Sequence, residues 1–255
     1  MKKPYYFLLL LSTCCIRDIC AQANEVKTIV SYSCVFNVKF DRGQEYQRFT
    51  ASLWIHKLTS GFFMLPENFD EKKVDNSMDI VLDVDTIFRV MKDFEQADLL
   101  FGDIVFDGKE KFYKDTLHVM QWELKDEKKM IDSFTCYKAT TFFKGRSYTA
   151  WYCPAISIPN GPWKLGGLPG LIIEAYDDNK DLYFLLTRIE NNKDINQRVF
   201  AGIDKYPSYE TYVRYWKDFF EKVNGAARAQ DNPDCISCLT NSTLKTYTWE
   251  KISLQ

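Results

Sequence analysis

Cysteine is the residue type with the clearest chemistry in this chain, and Cys235 and Cys238 form a CxxC. A CxxC is typical of thiol–disulfide centres and of zinc sites. Redox motifs usually stand at the start of a helix, where the helix dipole lowers the thiol pKa, whereas this one follows a proline-containing loop at 231–233. The sequence has no second CxxC and no nearby histidine to complete a zinc set. We therefore interpret Cys235 and Cys238 as a structural disulfide and keep a redox centre as the alternative.

Histidines and acidic side chains are the other candidates for catalysis. His56 and His118 both stand inside predicted strands among apolar neighbours, and no serine stands in a GxSxG motif. We therefore predict no catalytic residue from these residue types. A hydrolase would instead need several carboxylates in one cleft, and the candidates for that are Asp103, Asp107, Glu123, Glu174 and Asp177.

Asp177, Asn179 and Asp181 have the alternate spacing of the first half of a calcium-binding loop. Such a loop needs glycine at its sixth position and glutamate at its twelfth, where this chain has Leu182 and Arg188. Asp and Asn also favour ordinary turns. The sequence therefore predicts a solvated hairpin turn here, and we expect neither a metal nor a cofactor.

Four aromatic residues bracket a stretch rich in glycine and proline, and they are the candidates for a ligand groove: Tyr148, Trp151, Tyr152 and Trp163. The alternative is that these rings fill the core, since buried aromatic side chains dominate core energetics. We favour the core and keep the groove as a weaker hypothesis.

The stretch between these rings and the next strand runs from Pro154 to Glu174. Glycine permits positive φ and close backbone approach, whereas proline fixes φ and removes a donor. Two shaped turns are therefore expected, the second formed by Gly167, Leu168, Pro169 and Gly170. We expect Gly167→Val or Gly170→Val to abolish folding.

Residues 167–172 read GLPGLI, and the chain resembles the GLPGLI family on this motif. The segments 136–139 (CYKA) and 145–152 (GRSYTAWY) are also similar to the family's pattern. The resemblance implies a secreted protein of Bacteroides- or Porphyromonas-type bacteria. It implies no particular activity, because the family has none agreed.

The segments before this stretch predict a β-hairpin in which two cysteines face each other. If Lys144 and Gly145 are a two-residue loop between strands 134–143 and 146–156, then Cys136 lies opposite Cys153. At a non-hydrogen-bonded position their Cα atoms would be about 4.5 Å apart, which is within disulfide geometry. We therefore predict a cross-strand disulfide between them.

The N-terminus has the features of a secretory leader. Lys2 and Lys3 precede an apolar run over 5–16, and 21–23 reads Ala-Gln-Ala, a small-residue cleavage site. The run is too short to span a membrane, and no other such run follows. A lipoprotein anchored at Cys14 or Cys15 is the alternative, although Thr13 stands where a smaller residue is usual.

We expect an exported protein that is periplasmic, associated with the outer membrane or secreted, with no transmembrane segment after the leader 1–23. Cleavage there leaves five cysteines, Cys34, Cys136, Cys153, Cys235 and Cys238, so one thiol has no partner. A net charge of −2 gives no reason to expect nucleic acid as a partner.

The remainder, 24–255, is predicted to be one β-rich domain, and 16% aromatic content suffices for a substantial core. Strands are expected at 26–40, 46–57, 62–65, 103–106, 111–116, 117–124, 134–143, 146–156, 171–176 and 182–190, with turns at 107–108 and 177–181. A helix or a covering loop is expected after Asp85, and an amphipathic helix over 206–223, capped by Ser208 and ended by Gly225, before a short β-like tail at 244–252. The predicted class is α+β, mainly β: a curved antiparallel meander or partly open barrel with that C-terminal helix packed on it.

Three functions fit the sequence. The first is a non-enzymatic envelope module that binds a ligand or a protein partner, and it agrees best with the missing catalytic set. The second is a secreted hydrolase with unrecognised carboxylates, and the third is a thiol–disulfide protein using Cys235 and Cys238.

Overall fold

The computed structural model describes residues 27–40, 43–66, 88–104, 110–117, 120–191 and 205–229. Within them, eleven antiparallel strands form one open sheet. The strands are β1 (Lys27–Phe40), β2 (Gly43–His56), β3 (Thr59–Pro66), β4 (Phe88–Asp93), β5 (Asp98–Ile104), β6 (Glu110–Thr116), β7 (Glu123–Ile131), β8 (Phe134–Phe143), β9 (Arg146–Cys153), β10 (Leu171–Asp177) and β11 (Leu182–Asn191). One helix, α1 (Tyr209–Ala229), follows them.

The sheet consists of two meanders joined at the middle. Its order is β6-β5-β4-β3-β2-β1-β11-β10-β9-β8-β7, so the first and last strands pair with each other while β6 and β7 form the edges. The predicted class, α+β and mainly β, is confirmed, and the sheet is open rather than closed into a barrel.

Side chains alternate between the two faces of each strand, and one face carries the core. On the β7–β11 half this core face is marked by Ala139, Ala150, Ala175 and Phe184, which are register neighbours and all buried. On the β1–β6 half the corresponding buried residues include Tyr32, Leu53, Phe62, Val90 and Phe101. Across the seam, the Tyr32 hydroxyl donates to the Ile172 carbonyl at 2.8 Å. We call the opposite face of β7–β11 the outer face.

The β8–β9 hairpin has the predicted two-residue loop. Lys144 and Gly145 both have positive φ (48° and 80°), as a type I′ turn requires. Tyr137 pairs with Tyr152, and the register continues to Phe143 and Arg146 without a shift. The register that places Cys136 beside Cys153 is therefore confirmed.

Two segments differ from the sequence prediction. The helix predicted around Ile87–Phe94 is wrong: 88–93 is strand β4, paired with both β3 and β5. Its apolar spacing suits a helix, but burial between two strands decided the conformation. The strand predicted at 117–124 is also wrong in its bounds, because the strand found here is β7, which begins at Glu123. The charged sequence of β7, ELKDEKKMI, lacks the alternation of apolar residues that predicts a strand.

Strand β7 contains an irregularity in its pairing with β8. Leu124 pairs with Ala139 and Lys128 with Tyr137, so the three residues 125–127 face Lys138 alone. This is a β-bulge with two extra residues in an edge strand.

Helix α1 begins three residues later than predicted and continues through Gly225 to Ala229, so the predicted end is wrong. Ser208 stands directly before the helix, and its backbone carbonyl accepts from the N–H groups of Thr211 (3.0 Å) and Tyr212 (3.2 Å). Tyr212 and Trp216 are buried, and the Tyr212 ring meets Phe101 edge-on at 5.0 Å. Just before the helix, the Lys114 N–H of β6 donates to Pro207 O at 2.7 Å, and Lys114 bridges to Ser208.

Several predictions lie outside the described residues: the leader 1–23, the turn at 107–108, His118, the CxxC at Cys235 and Cys238, and the tail 244–252. No helix in the described part of the chain is both long and apolar enough to cross a membrane.

Candidate ligand-binding site

The signature loop, residues 154–170, packs on the core face of the sheet and is tied to β3 and β4 by buried polar groups. The Lys92 ammonium donates to Asn160 Oδ1 (3.0 Å), Gly161 O (3.1 Å) and Leu165 O (2.6 Å). Asn160 Nδ2 in turn donates to Ser60 Oγ at 2.9 Å. Burial lowers the pKa of Lys92 to about 7. These four hydrogen bonds pair the buried polar groups with one another inside the protein and thereby fix the position of the loop.

Trp163 and Tyr148, two of the four aromatic ligand candidates, lie inside the core. Trp163 is 0% exposed and Tyr148 is 1% exposed, with 5.9 Å between their ring centroids. Phe143 closes the other side of Trp163 at 6.0 Å. Both rings pack in the core, and Tyr148 also forms part of the lining of the pocket described below.

Trp151 and Tyr152, the other two candidates, lie on opposite faces of β9. Tyr152 faces the core side and packs with Tyr137 at 6.0 Å between ring centroids. Trp151 lies on the outer face and is 8% exposed. The Lys129 ammonium stands over its ring at 4.3 Å, a cation–π contact. The four rings therefore do not form one groove.

The turn at Gly167–Gly170 uses its two glycines differently. Gly170 has φ of 150°, and a Cβ there would overlap the Cys153 carbonyl oxygen and stand 2.9 Å from Pro154 Cα. Gly167 has φ of 82°, but a Cβ there would meet nothing within 4 Å. Leu168 between them is buried, whereas Pro169 is exposed. Only Gly170 is required by close packing.

Cys34, Cys136 and Cys153 are all buried free thiols in this structure. The predicted bond between Cys136 and Cys153 is therefore absent, although the register that would allow it is present. Burial, with the neighbouring Cys153 as the second cause, raises the pKa of Cys136 to about 11. With this raised pKa the Cys136 thiol is mostly protonated near neutral pH, which makes it a poor nucleophile. The disulfide between Cys136 and Cys153 stays a prediction for the oxidised protein.

The carboxylates proposed as hydrolase candidates do not form one cluster, because two of them are paired with different basic side chains. Glu174 is bound by the Lys129 ammonium and accepts from the Tyr183 hydroxyl at 2.9 Å. Asp177 is bound by Arg146 at 2.7 Å, and both side chains are buried. Glu123 lies at the end of β7, while Asp103 is described only as part of β5 and Asp107 not at all. Glu174 and Asp177 are thus held in two separate ion pairs.

The Asp177–Asp181 turn is organised around a side chain rather than around a metal. Arg146 lies 2.7 Å from Asp177 and 3.6 Å from Asp181, and Asp177 also accepts from the Leu182 N–H at 2.9 Å. The two carboxylates therefore neutralise a buried guanidinium and close the β10–β11 hairpin. The described residues contain no cluster of His, Cys, Asp and Glu that could hold a metal ion.

A pocket of about 370 Å³ opens on the outer face, where β7 and β9 begin and β8 ends, beside the β10–β11 turn. The residues that line it include Gln121, Glu123, Thr140, Phe142, Ser147 and Asp178. Phe142 and Ser147 are register partners across the β8–β9 hairpin, next to its turn. The volume falls within the usual range for small-molecule sites, about 300–1,000 Å³.

The pocket combines an exposed aromatic ring with polar groups that have no partner in the protein. Phe142 is 73% exposed. Among the described residues, nothing hydrogen-bonds or ion-pairs with the Asp178 carboxylate, the Ser147 hydroxyl or the Gln121 side-chain amide. These groups are therefore available to a ligand.

Glu123 differs from the other polar groups because it is already paired. Its hydrogen bond and charge interaction with Lys125 lower the pKa of the Glu123 carboxyl, and a weaker hydrogen bond from Thr140 acts in the same direction. Glu123 consequently stays ionised, with its charge offset by Lys125.

Sequence reasoning named two of the pocket residues, Glu123 as a candidate carboxylate and Tyr148 as a candidate ligand-binding ring. The pair Phe142–Phe143 contained a usable signal: in a strand, one of two adjacent rings must face away from the core. Phe143 is packed against Trp163, so Phe142 points outward. Gln121 and Asp178 carry no such signal, because they come to the pocket from segments distant in sequence.

The fold and site define a β-rich domain whose open sheet carries a polar pocket on the face opposite its core. Residues 143–174, which include the signature loop, match a family model described as "Protein of unknown function (Porph_ging)". The chain is thus similar to a domain of unknown function found in Porphyromonas- and Bacteroidetes-type proteins, and the GLPGLI name stays a prediction.

Two crystal structures of PNGF-II, in space groups P21 and C2, are similar to the chain. Their sequence identities are 13% and 14% and their TM-scores 0.46 and 0.45; they match 68% and 69% of this chain, which covers 30% of each PNGF-II chain. A similarity at this level carries no conclusion about function. No curated protein matches the sequence.

Proposed function

We propose that this protein is an exported, non-enzymatic binding module that takes a small ligand into the outer-face pocket. The observation that carries this proposal is the pocket itself, where Asp178, Ser147 and Gln121 have no polar partner among the described residues and lie beside the exposed ring of Phe142. Polar groups placed this way give orientation and specificity to a ligand that an aromatic ring helps to hold. Export is supported by the leader predicted at 1–23.

Binding is favoured over hydrolysis because of how the acidic side chains are used. Catalytic carboxylates of a hydrolase act as a pair on one bond. Here Glu174 and Asp177 are each committed to a basic partner, and Glu123 is paired with Lys125. The Asp178 carboxylate in the pocket has no such partner within the described part of the chain.

A ligand screen with a pocket-filling variant tests the proposal. Ser147 is exposed on the outer face and lines the pocket, so Ser147→Trp would fill the pocket while leaving the core intact. Small molecules of mixed chemistry are screened by thermal shift against the exported protein, and the hits are mapped by hydrogen–deuterium exchange. We expect protection at the ends of β8 and β9, and a loss of affinity of at least about tenfold in Ser147→Trp.

The matched control is Ser133→Trp, an exposed serine in the β7–β8 turn outside the pocket lining. Affinity should be unchanged in this variant. Hits that map elsewhere, or that bind both tryptophan variants equally well, would refute the pocket as the binding site.

A further inference from the structure

The lining of the outer-face pocket also limits the chemistry of its ligand, provided that the proposed binding function holds. Among the described residues that line the pocket there are two carboxylates, Glu123 and Asp178, and no lysine or arginine. Phosphate, sulfate and carboxylate ligands would therefore meet the like charge of Asp178, and the nearby Lys125 ammonium is already paired with Glu123. Anionic ligands are excluded on this ground.

A purely apolar ligand also fits poorly. Apart from the rings of Phe142 and Tyr148, the groups that line the pocket are mainly carboxylates, hydroxyls and an amide. Three of these polar groups have no partner in the described chain. An alkyl chain placed here would remove these polar groups from water without replacing their hydrogen bonds, which is costly. The ligand must therefore offer hydrogen bonds of its own.

The donor and acceptor inventory separates a cation from a neutral polar ligand. An ammonium only donates, so it would use the carboxylates but leave the N–H groups of Gln121 and the O–H of Ser147 without acceptors. The charge of Glu123 is already offset by Lys125, and a single ion pair to the exposed Asp178 is weak in water. A ligand hydroxyl, in contrast, can donate to Asp178 and accept from Gln121 or Ser147.

We propose that the pocket binds a neutral saccharide, with a C–H face of the sugar on the Phe142 ring and its hydroxyls shared among Asp178, Ser147 and Gln121. A sugar unit has the required combination of one apolar face and several groups that both donate and accept. The acceptor-only carboxylate of Asp178 suits two neighbouring hydroxyls. The Phe142 ring is the exposed aromatic surface of the pocket, whereas the other lining ring, Tyr148, is buried.

Isothermal titration with a panel of neutral oligosaccharides, built from hexoses and from N-acetylhexosamines, tests this inference on the exported protein. We expect Phe142→Ala to weaken binding by about tenfold or more, and Phe142→Tyr to restore most of the affinity because the ring returns. Asp178→Asn should weaken binding several-fold. Met130→Ala and Asp126→Asn, exposed β7 residues outside the pocket lining, are the matched controls and should bind like the parent protein.

Salt dependence and a second ligand class complete the test. Affinity for a neutral sugar should change little between about 0.05 M and about 0.5 M NaCl, since no charge pair forms. Binding of polyamines instead of sugars, with strong salt dependence and loss in Phe142→Ala, would overturn the saccharide class and leave the binding function standing. If neither class binds and the mixed-chemistry screen also yields no ligand at the pocket, both proposals are refuted.

Discussion

At the scale of single residues, the two glycines of the signature turn should differ in how well they tolerate substitution by alanine. Gly170→Ala should destabilise the protein by several kcal/mol, because the new Cβ would collide with the backbone at Cys153 and Pro154. Gly167→Ala should cost only about 1–2 kcal/mol, the penalty for a side chain at positive φ, since its Cβ meets open space. Urea unfolding of the two variants measures the difference. Equal losses would show that backbone strain, rather than the close approach at Gly170, sets the cost.

The space around the two glycines supports the expectation from the sequence, that valine abolishes folding, more strongly for Gly170 than for Gly167. A glycine-rich motif shows that unusual backbone geometry is present, but it does not show which glycine is crowded by another segment. That information depends on Cys153 and Pro154 standing against Gly170, which is a tertiary contact.

The buried Lys92 predicts a pH dependence of stability. Its pKa falls to about 7 in the folded protein, below the value of about 10.4 for an unfolded lysine. Between these two values the unfolded chain binds a proton that the folded chain does not, so this residue makes stability rise with pH.

Comparing the unfolding free energies of the parent protein and Lys92→Met from pH 6 to about pH 10 checks this prediction. The variant should be less stable overall, because the acceptors at Asn160, Gly161 and Leu165 lose their donor. Its stability should nevertheless rise less steeply with pH than that of the parent. Parallel pH profiles would mean that Lys92 keeps its ordinary pKa.

At the scale of elements, the β8–β9 hairpin predicts a disulfide in the oxidised protein. Cys136 and Cys153 occupy the register position next to the Tyr137–Tyr152 pair, so little backbone movement is needed. Non-reducing peptide mapping of the exported protein should find them linked, with Cys34 still alkylatable after unfolding. The link should add about 2–4 kcal/mol of stability, lost in Cys136→Ala. Recovery of either thiol as a free alkylated peptide would contradict the prediction.

The timing of this oxidation follows from burial. Because burial raises the pKa of Cys136 to about 11, few thiolates exist in the folded protein near neutral pH. The bond should therefore form before the hairpin is covered. Protein that is first folded in reductant and then exposed to oxidised glutathione should oxidise much more slowly than protein refolded in its presence.

Elements with local signals were predictable, and those defined by their neighbours were not. The β8–β9 and β10–β11 hairpins carry turn residues between alternating apolar runs, which the sequence shows directly. Strand β4 has apolar spacing that suits a helix, and its partners β3 and β5 decide otherwise. The charged β7 is a strand because its backbone pairs with β8, and no residue within β7 predicts a strand. The pocket depends on β7, so it could not be placed from the sequence.

At the scale of the whole molecule, the seam between β1 and β11 joins two halves that are otherwise separate meanders. Ser33 pairs with Leu185 on one side and Thr50 on the other. Ser33→Pro removes a ladder hydrogen bond from this central strand and should therefore abolish cooperative folding of both halves. Asp126→Pro, inside the bulge of edge strand β7, should lower the melting temperature far less.

Circular dichroism of the two proline variants during heating distinguishes the outcomes. A single sharp transition in Ser33→Pro near that of the parent would show that the halves do not depend on the seam.

Both margins of the open sheet discourage self-assembly. An exposed strand edge is a template on which further copies could add, eventually as fibrils. On β6 that template is interrupted, because the Lys114 N–H is already taken by Pro207. On β7 the bulge at 125–127 and its flanking lysines break the straight row of donors and acceptors that an incoming strand would need. We therefore expect that the two edge strands of this open sheet do not pair with other copies of the protein, even at high protein concentration.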